Sequence, residues 1–567
     1  MRTRADALQT LERERFDLVV IGGGITGAGV ALDAVTRGYS VALFERDDWS
    51  CGTSSRSSKM IHGGLRYLQN FDLGLVREAL LERQLMVQLA PHLVKPLAFL
   101  VPAFEGARPD RRLGIGLNAY DVMASRGRRH RRKSEREAAE EGSEYWSPER
   151  HRMISGDEVV KLIPALEPRD PSAAYLFYDC QTDDSRMVLT VLGEAERFGA
   201  VCLNGAAVVE LIEEGGRAAG VVFEEQESGE RFAVGATNVV NATGVWADRI
   251  RPEELHDEED VPDDLPVIRP SRGTHIVIDR ERLPLNAAAI VPAGKGRLIF
   301  ALPWLGQSLI GTTDRDYEGS LEHPQPDADD IHYLLKAVNR FFDRDLGFDD
   351  VAGAYAGVRP LISAEADSKK SVDISRKAEL FETSSGMITI TGGKFTTWRR
   401  MAKMVVDRLV EREFREAPCR THEIPLGHPA DIDQLPEVEG VDASSREHLA
   451  DRYGLFSEQV LELCKLDGDL RQPIVEGMPD LAVEALVAAR FEQARSVADV
   501  MLRRTRLGLL AGRTLVADKR PARRVAAAMA SELGWGRRQI GKEVDAWLAS
   551  AEVEGLVTPE PDSAVAG

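Results

Sequence analysis

The sequence predicts an α/β (α+β) chain in three parts. A Rossmann-like domain is interleaved with a domain built on an antiparallel sheet, and an all-helical C-terminal domain follows. Three observations carry this. A strand–glycine turn–helix–strand unit opens the chain, three separated blocks share its α/β character, and the spacing of apolar residues turns purely helical after about residue 410.

With 567 residues there is room for two or more domains with a sizeable core. A hydrophobic fraction of 43% is ordinary for a globular protein. The net charge of -20 argues against general nucleic-acid binding, which needs a basic face. Positive charge for an anionic ligand would therefore have to be gathered inside a pocket. Five scattered cysteines without a CxxC pair predict neither a disulfide framework nor a metal site, and they fit a reducing compartment. The start, MRTRADALQTLERERF, is charged and lacks a signal-peptide core, and no apolar run approaches the length of a membrane span. A cytoplasmic protein is expected.

In FDLVVIGGGITGAGVALDAVTRGYSVALFER, residues 16–46, a strand over 18–21 runs into Gly22, Gly24 and Gly27, then a helix, then a strand over 40–44 ending at Glu45. The first glycine makes the turn and the second lets backbone approach a pyrophosphate. The helix N-terminus faces the phosphate charge, and Glu45 can accept from a ribose hydroxyl. The motif alone does not choose between FAD and NAD. Two features favour FAD: the hydroxyls of Thr53, Ser54 and Ser58 directly after the ribose acid, and Gly392–Gly393 opening a late helix that can face a flavin edge. Gly63 and Gly64 in SSKMIHGGLRYLQN are expected to let backbone pass the flavin ring, with Arg66 and Tyr67 emerging beyond them.

The dinucleotide-binding segments are expected at about 15–90, 170–260 and 350–410. LNGAAVVELIEEGGRAAGVVF reads as a β-meander and ATNVVNATGVWADRI as a strand, glycine turn and helix; Val208 and Gly244 from these are assigned to the cofactor site. The second domain is expected at about 91–169 and 265–349, where THIVID, RLIFALPW and SLIGTTD read as antiparallel strands. Together these make an oxidoreductase region over 15–410. Residues 411–550 read as the helical domain and 551–567 as a disordered tail. RGRRHRRKSEREAAEEGSE, residues 126–144, switches from basic to acidic and reads as a solvated loop.

The motifs TSSRSSKMIHGGLRYL, NATGVWAD, SRGTHIVI, LIGTTD, AYAGVRPL and TGGKFTTWRRMA, with CRTHEIPLG and RRTRLGLL further on, resemble the FAD-dependent glycerol-3-phosphate dehydrogenases of the respiratory, quinone-linked type. The resemblance covers most of the chain. It implies a glycine-oxidase-like flavoprotein fold, oxidation of sn-glycerol 3-phosphate at C2 to dihydroxyacetone phosphate, and quinone as electron acceptor. It also implies peripheral attachment to the inner face of the cytoplasmic membrane. Carried over by motif, the substrate pocket draws on Arg66, Tyr67, His275, Arg359, Arg376 and Lys394.

Guanidinium forks suit a phosphate dianion, which gives Arg66, Arg359 and Arg376 their part, with Tyr67 adding a hydroxyl. His275 is the expected general base, since imidazole titrates near neutrality. Arg359 competes for that role or stabilises the developing alkoxide, and Lys394 neutralises reduced flavin or contacts substrate. His62 is expected beside the flavin without a proton-transfer role, Trp246 and Trp398 as packing aromatics, and Asp314 as a turn residue. A basic cluster after LGIGLNAYDVMAS could meet anionic lipid. The rival readings are an oxidase that passes electrons to oxygen and makes hydrogen peroxide, another amine or hydroxy-acid flavin oxidase, and a flavin-binding protein without turnover. The helical domain could support the active-site domain, form a homodimer, or receive the quinone.

Overall fold

A computed structural model describes residues 3–64, 72–124, 150–250, 267–294, 296–362 and 377–558. Strand Phe16–Ile21 lies between parallel strands Val41–Phe44 and Arg231–Asn241, with Val201–Leu203 beyond the first and Ile388–Gly392 beyond the second. Leu18, Val19 and Val20 are wholly buried, as continuous apolar runs must be in a sheet covered on both faces. The expected meander is present as Ala206–Glu214, Arg217–Glu225 and Arg231–Asn241. Helix Ile25–Thr36 packs between helices Asp184–Arg197 and Trp398–Arg412. Gly29 permits this approach, because a Cβ there would lie 2.5 Å from the indole of Trp398.

The second sheet has ten strands, with Ile268–Ile278 paired antiparallel to both Gln307–Gly311 and Val351–Ile362. Its extent differs from the expected segment boundaries. Met60–Ile61, Ala173–Gln181 and Val351–Ile362 all belong to it, although each falls in a segment assigned to the dinucleotide domain. An apolar strand carries its own period in the sequence but not the identity of its partner, and here the pairing is long-range. Helix Ala328–Phe342 covers the sheet with Ile331, Leu334, Leu335 and Phe342 buried.

The C-terminal region is helical from Trp398–Arg412 onward. The apolar run after Ser496 is broken into Val497–Asp499, a π-helical turn Val500–Arg504, and Leu507–Leu510, where the spacing alone suggested one helix. Helices Arg520–Leu533 and Arg537–Val553 are separated at Gly534, whose φ of +66° ends the first. Order extends into the expected tail: Leu556 is buried, and its carbonyl accepts the Ala354 N–H at 2.9 Å. An unexpected helix, Arg4–Arg13, is capped by Thr3 and buries Ala7 and Leu11. Among the described residues no helix is long and apolar enough to cross a membrane. The charge-switching segment 126–144 lies outside the described residues.

Candidate functional site

The two sheets meet at a cleft of about 400 Å³, whose lining includes Ala206, Val208, Gly392, Gly393 and Lys394. That is within the usual size of small-molecule sites. At its floor Gly22 holds φ +111°, and a Cβ there would stand 2.7 Å from the Ala242 carbonyl oxygen. Gly27 lies beneath the turn, since its Cβ would come within 1.9 Å of the Gly22 oxygen. Helix Ile25–Thr36 begins at Gly24, which has no side chain to cap it; Ser54 takes the first N–H, and the positive end of the helix dipole lies at the cleft. Glu45 accepts the N–H of Gly23 at 2.7 Å and of Asp47 at 3.0 Å. Burial raises its pKa, against the pull of those two donors.

The three hydroxyls expected on the cofactor all line the cleft, but each is also bound to the protein. Thr53 donates to the Val358 carbonyl at 2.6 Å, Ser54 accepts the Ile25 N–H at 3.0 Å, and Ser58 meets His275 Nε2 at 2.9 Å. Ser54 keeps its proton to donate. Gly244 lines the cleft at φ +63° and its carbonyl accepts from Thr391 at 2.9 Å. Gly392 and Gly393 have φ of +75° and +70°. A Cβ would meet the Lys377 oxygen at 2.6 Å in the first and the Met401 sulfur at 2.5 Å in the second. A 3-10 turn, Phe395–Thr397, separates this pair from helix Trp398–Arg412.

Gly63 and Gly64 are not among the cleft-lining residues. Gly63 is instead pressed against Leu80 and Tyr120, whose hydroxyl oxygen would lie 2.4 Å from a Cβ, and Gly64 turns the chain at φ +76°. The requirement for glycine there is set by packing against two helices. Arg66, Tyr67 and Arg376 lie outside the described residues. Trp246, expected as a packing aromatic, lines the cleft with the Arg46 guanidinium 5.4 Å from its ring centre. Trp398 is fully buried, and His62 lines the cleft with its N–H on Thr396 Oγ1 at 3.3 Å.

Strand pairing brings His275 and Arg359 to one side of the cleft. His275 stands across from Gly311 on one neighbouring strand and Tyr355 on the other. A Cβ on Gly311 would fall 2.1 Å from the imidazole, so the ring packs on bare backbone. Tyr355 stacks on its other side with ring centres 4.8 Å apart and planes 7° apart. Burial, then Lys59 and Arg359, hold the His275 pKa well below its ordinary value, so its imidazole is neutral where near-neutral titration was expected. Its Nδ1 has no hydrogen-bond partner among the described residues.

Four strand positions beyond Tyr355, Arg359 donates to Asp314 Oδ1 at 3.3 Å and Thr312 Oγ1 at 3.3 Å. Gly273 makes room for its guanidinium, which a Cβ would meet at 2.5 Å. Asp314 also accepts from Ser271 at 2.5 Å, so this residue, read from sequence as part of a turn, orients Arg359. Lys394 lines the same cleft next to Gly392 and Gly393. Tyr355 and Lys59 carried no separate signal, although both lie inside quoted motifs.

The glycine cradle, the helix N-terminus and the Glu45 carboxylate fit a dinucleotide that carries phosphates, and the fold is that of a dinucleotide-dependent oxidoreductase. The family model "FAD dependent oxidoreductase" matches residues 17–408, and "C-terminal domain of alpha-glycerophosphate oxidase" matches 388–540. Glycerol-3-phosphate dehydrogenase 2 of Mycobacterium tuberculosis is 38% identical over 568 residues, covering 99% of this chain and 92% of that protein. Aerobic glycerol-3-phosphate dehydrogenase of Bacillus subtilis is 34% identical over 518 residues, or 88% of each chain. The solved glycerol-3-phosphate dehydrogenase from Bacillus halodurans complexed with FAD superposes with a TM-score of 0.72 at 27% identity over 98% of both chains. The chain belongs to the FAD-dependent glycerol-3-phosphate dehydrogenase family, and its cofactor is FAD.

Proposed function

We propose that the protein oxidises sn-glycerol 3-phosphate at C2 to dihydroxyacetone phosphate and passes the electrons to a membrane quinone. FAD, when bound, supplies the hydride acceptor. The observation that carries the reading is the convergence of Arg359 and neutral, buried His275 on the cleft that Gly392–Lys394 also line. Gly22, Gly24, Gly27, Glu45, Ser54, Val208, Gly244, Gly392 and Gly393 are assigned to the cofactor, Thr53 and Ser58 to holding the cleft wall. Gly63 and Gly64 are assigned to shaping the chain before Arg66.

In this reading Arg359 binds the phosphate or the oxygen at C2, with Asp314 fixing its planar fork. His275 accepts the hydroxyl proton. Its low basicity comes from burial and from two cations, Lys59 and Arg359, and a phosphate dianion beside Arg359 offsets the latter part. Lys394 adds charge beside Gly392 and Gly393, while Arg66, Tyr67 and Arg376 complete the anion pocket. Bleaching of the flavin spectrum by glycerol 3-phosphate under anaerobic conditions tests the substrate. Absence of bleaching, with bleaching by a 2-hydroxy acid or an amine, replaces it.

The word dehydrogenase in the relatives' names supports an acceptor other than oxygen. The oxidase in the C-terminal family description supports the other reading, and stoichiometric peroxide without quinone would decide for it. Membrane contact draws on helix Arg111–Ala124, where Ile115 and Val122 are exposed seven residues apart on one face. Ile115→Asp with Val122→Asp should abolish flotation with anionic vesicles, and equal flotation removes that face from the reading.

A further inference from the structure

The C-terminal domain reaches the cleft walls through three buried arginines, Arg503, Arg504 and Arg506, that the reaction as described leaves unused. They sit where regular helix fails. Val500–Arg504 is a π-helical turn, and Arg506 adopts φ +67°, ψ 4° before the helix resumes. Such turns concentrate at functional sites, and a left-handed residue other than glycine persists only where its surroundings over-determine it.

Arg503 and Arg504 both bind Asp48, at 2.5 Å through Nε of the first and 2.8 Å through both terminal nitrogens of the second. Asp48 lies three residues past Glu45, in the loop that lines the cleft with Arg46, Asp47 and Cys51. Arg506 reaches the next turn. Its Nη2 donates to the Ser55 carbonyl at 2.7 Å and Asp184 Oδ1 at 3.1 Å. Lys59 Nζ uses the same acceptors, at 2.6 Å on Ser55 and 2.8 and 3.0 Å on Asp184. Asp184 also takes the Ser57 N–H at 3.1 Å and hydroxyl at 2.7 Å.

This cluster is joined to the imidazole twice. Ser58, the residue before Lys59, hydrogen-bonds His275 Nε2 at 2.9 Å. Tyr355, which stacks on His275, donates its hydroxyl to the Ser57 carbonyl at 2.8 Å and lies under the Lys59 ammonium at 4.7 Å. Burial, followed by the Arg506 guanidinium, pushes Lys59 down to about 7 against the pull of Asp184, so the two cations sense each other strongly.

We propose that Arg506, Asp184 and Lys59 are positioning residues for His275. Through Arg506 the helical domain fixes the 55–59 turn, and with it the Ser58–His275 hydrogen bond and the Tyr355 stack. The helical domain is thereby part of the active-site apparatus. This rests on the reading of His275 as the proton acceptor, and the test separates the two.

Protein labelled with ¹⁵N-histidine carries 11 such residues, and His275 is assigned by comparison with His275→Asn. In Arg506→Met the His275 ring resonances should move while FAD content stays at that of wild type. Turnover of glycerol 3-phosphate should fall about tenfold to a hundredfold in kcat, the cost of a misplaced catalytic group, with KM little changed. Added guanidinium should restore part of it. Arg490→Met, which breaks the half-buried pair with Glu532 inside the helical domain, should leave the His275 resonances and kcat in place. If Arg506→Met does not accumulate folded, Arg506→Lys carries the same measurements with the charge retained. Unmoved His275 resonances with kcat within about twofold of wild type overturn the proposal. Moved resonances in a protein whose wild type is not reduced by glycerol 3-phosphate sustain the clamp and overturn the substrate.

Discussion

Asp48→Asn perturbs the junction between the helical domain and the cofactor loop at a buried carboxylate held by two arginines. Asp48 is 4% exposed and accepts from Arg503, Arg504 and Asn204, the last at 3.0 Å. Burial opposes its charge, but Arg504 and Arg503 outweigh burial and hold its pKa at about 2, against 3.8 for an unperturbed group. That depression marks a native-state preference for the carboxylate on the order of 2–3 kcal/mol. Removing one partner of a buried ion pair independently suggests about 3–5 kcal/mol. Both arginines keep a second acid, Asp499 for Arg503 and Glu492 for Arg504, so the lower end, about 3 kcal/mol, is expected. A group with a depressed folded-state pKa stabilises above its unfolded value and loses that contribution as pH falls through the folded one. For Asp48 the window runs from 3.8 down to about 2. Unfolding followed by far-UV circular dichroism and by release of flavin fluorescence should show the variant weakened at pH 7, with a shallower loss of stability in that acid window. A variant within about 1 kcal/mol of wild type, or one with an unaltered acid profile, would refute the idea that this carboxylate ties the domains together.

Gly27→Ala should abolish FAD incorporation, read as loss of flavin absorbance, because the new methyl would lie 1.9 Å from the Gly22 oxygen and there is no flexible side chain to yield. Arg359→Ala should retain FAD but raise KM for glycerol 3-phosphate about tenfold to a hundredfold, the range for a charge-assisted hydrogen bond of about 1.5–3 kcal/mol. Unchanged KM would remove Arg359 from the anion pocket. In the pH profile of kcat/KM the limb that reports His275 should lie well below the ordinary imidazole value of 6.5, apart from the ionisation of the substrate phosphate at about 6. Persistence of that lower limb in His275→Gln would contradict the assignment.

The parts legible in the sequence are those encoded by local spacing. Gly22, Gly24, Gly27 and Glu45 lie within one strand–turn–helix–strand unit, so their common site follows from the motif and its period. His275 and Arg359 could be chosen by residue type and resemblance, but their proximity depends on Ile268–Ile278 pairing with Val351–Ile362, a register that local patterning does not encode. Gly63 shows the opposite case. Its presence was visible, but its reason, the proximity of Leu80 and Tyr120, depends on helices packed from elsewhere. The RRTRLGLL segment read only as part of the helical domain, with no role for its arginines. Only the π turn and the left-handed Arg506 bury those charges against the cofactor loops.

The chain carries a net charge of -20, yet the cleft and its immediate support are rich in buried cations. Arg503, Arg504 and Arg506 approach from one domain and Lys59 from another, while Arg359 and Lys394 line the cavity itself. Buried charges of one sign are tolerated only with matched acids, and Asp48, Asp184 and Asp314 each serve at least one of these cations. Around Asp184 a lysine and an arginine share one carboxylate and one carbonyl, and Asp183 stands 3.6 Å from the same arginine. Burial first, and then the positive charge of Lys59 and Arg359, make a neutral imidazole favourable at His275, and a dianion entering beside Arg359 would offset the part due to that arginine. The acidic exterior does not oppose this, because surface charges beyond about 10 Å are largely screened by salt, whereas groups in the cleft are not. On the proposed roles of Arg359 and His275, selection for an anionic substrate and control of the proton acceptor draw on the same group of buried cations. Neutralising Arg506 should then disturb His275 while leaving Arg359 in place.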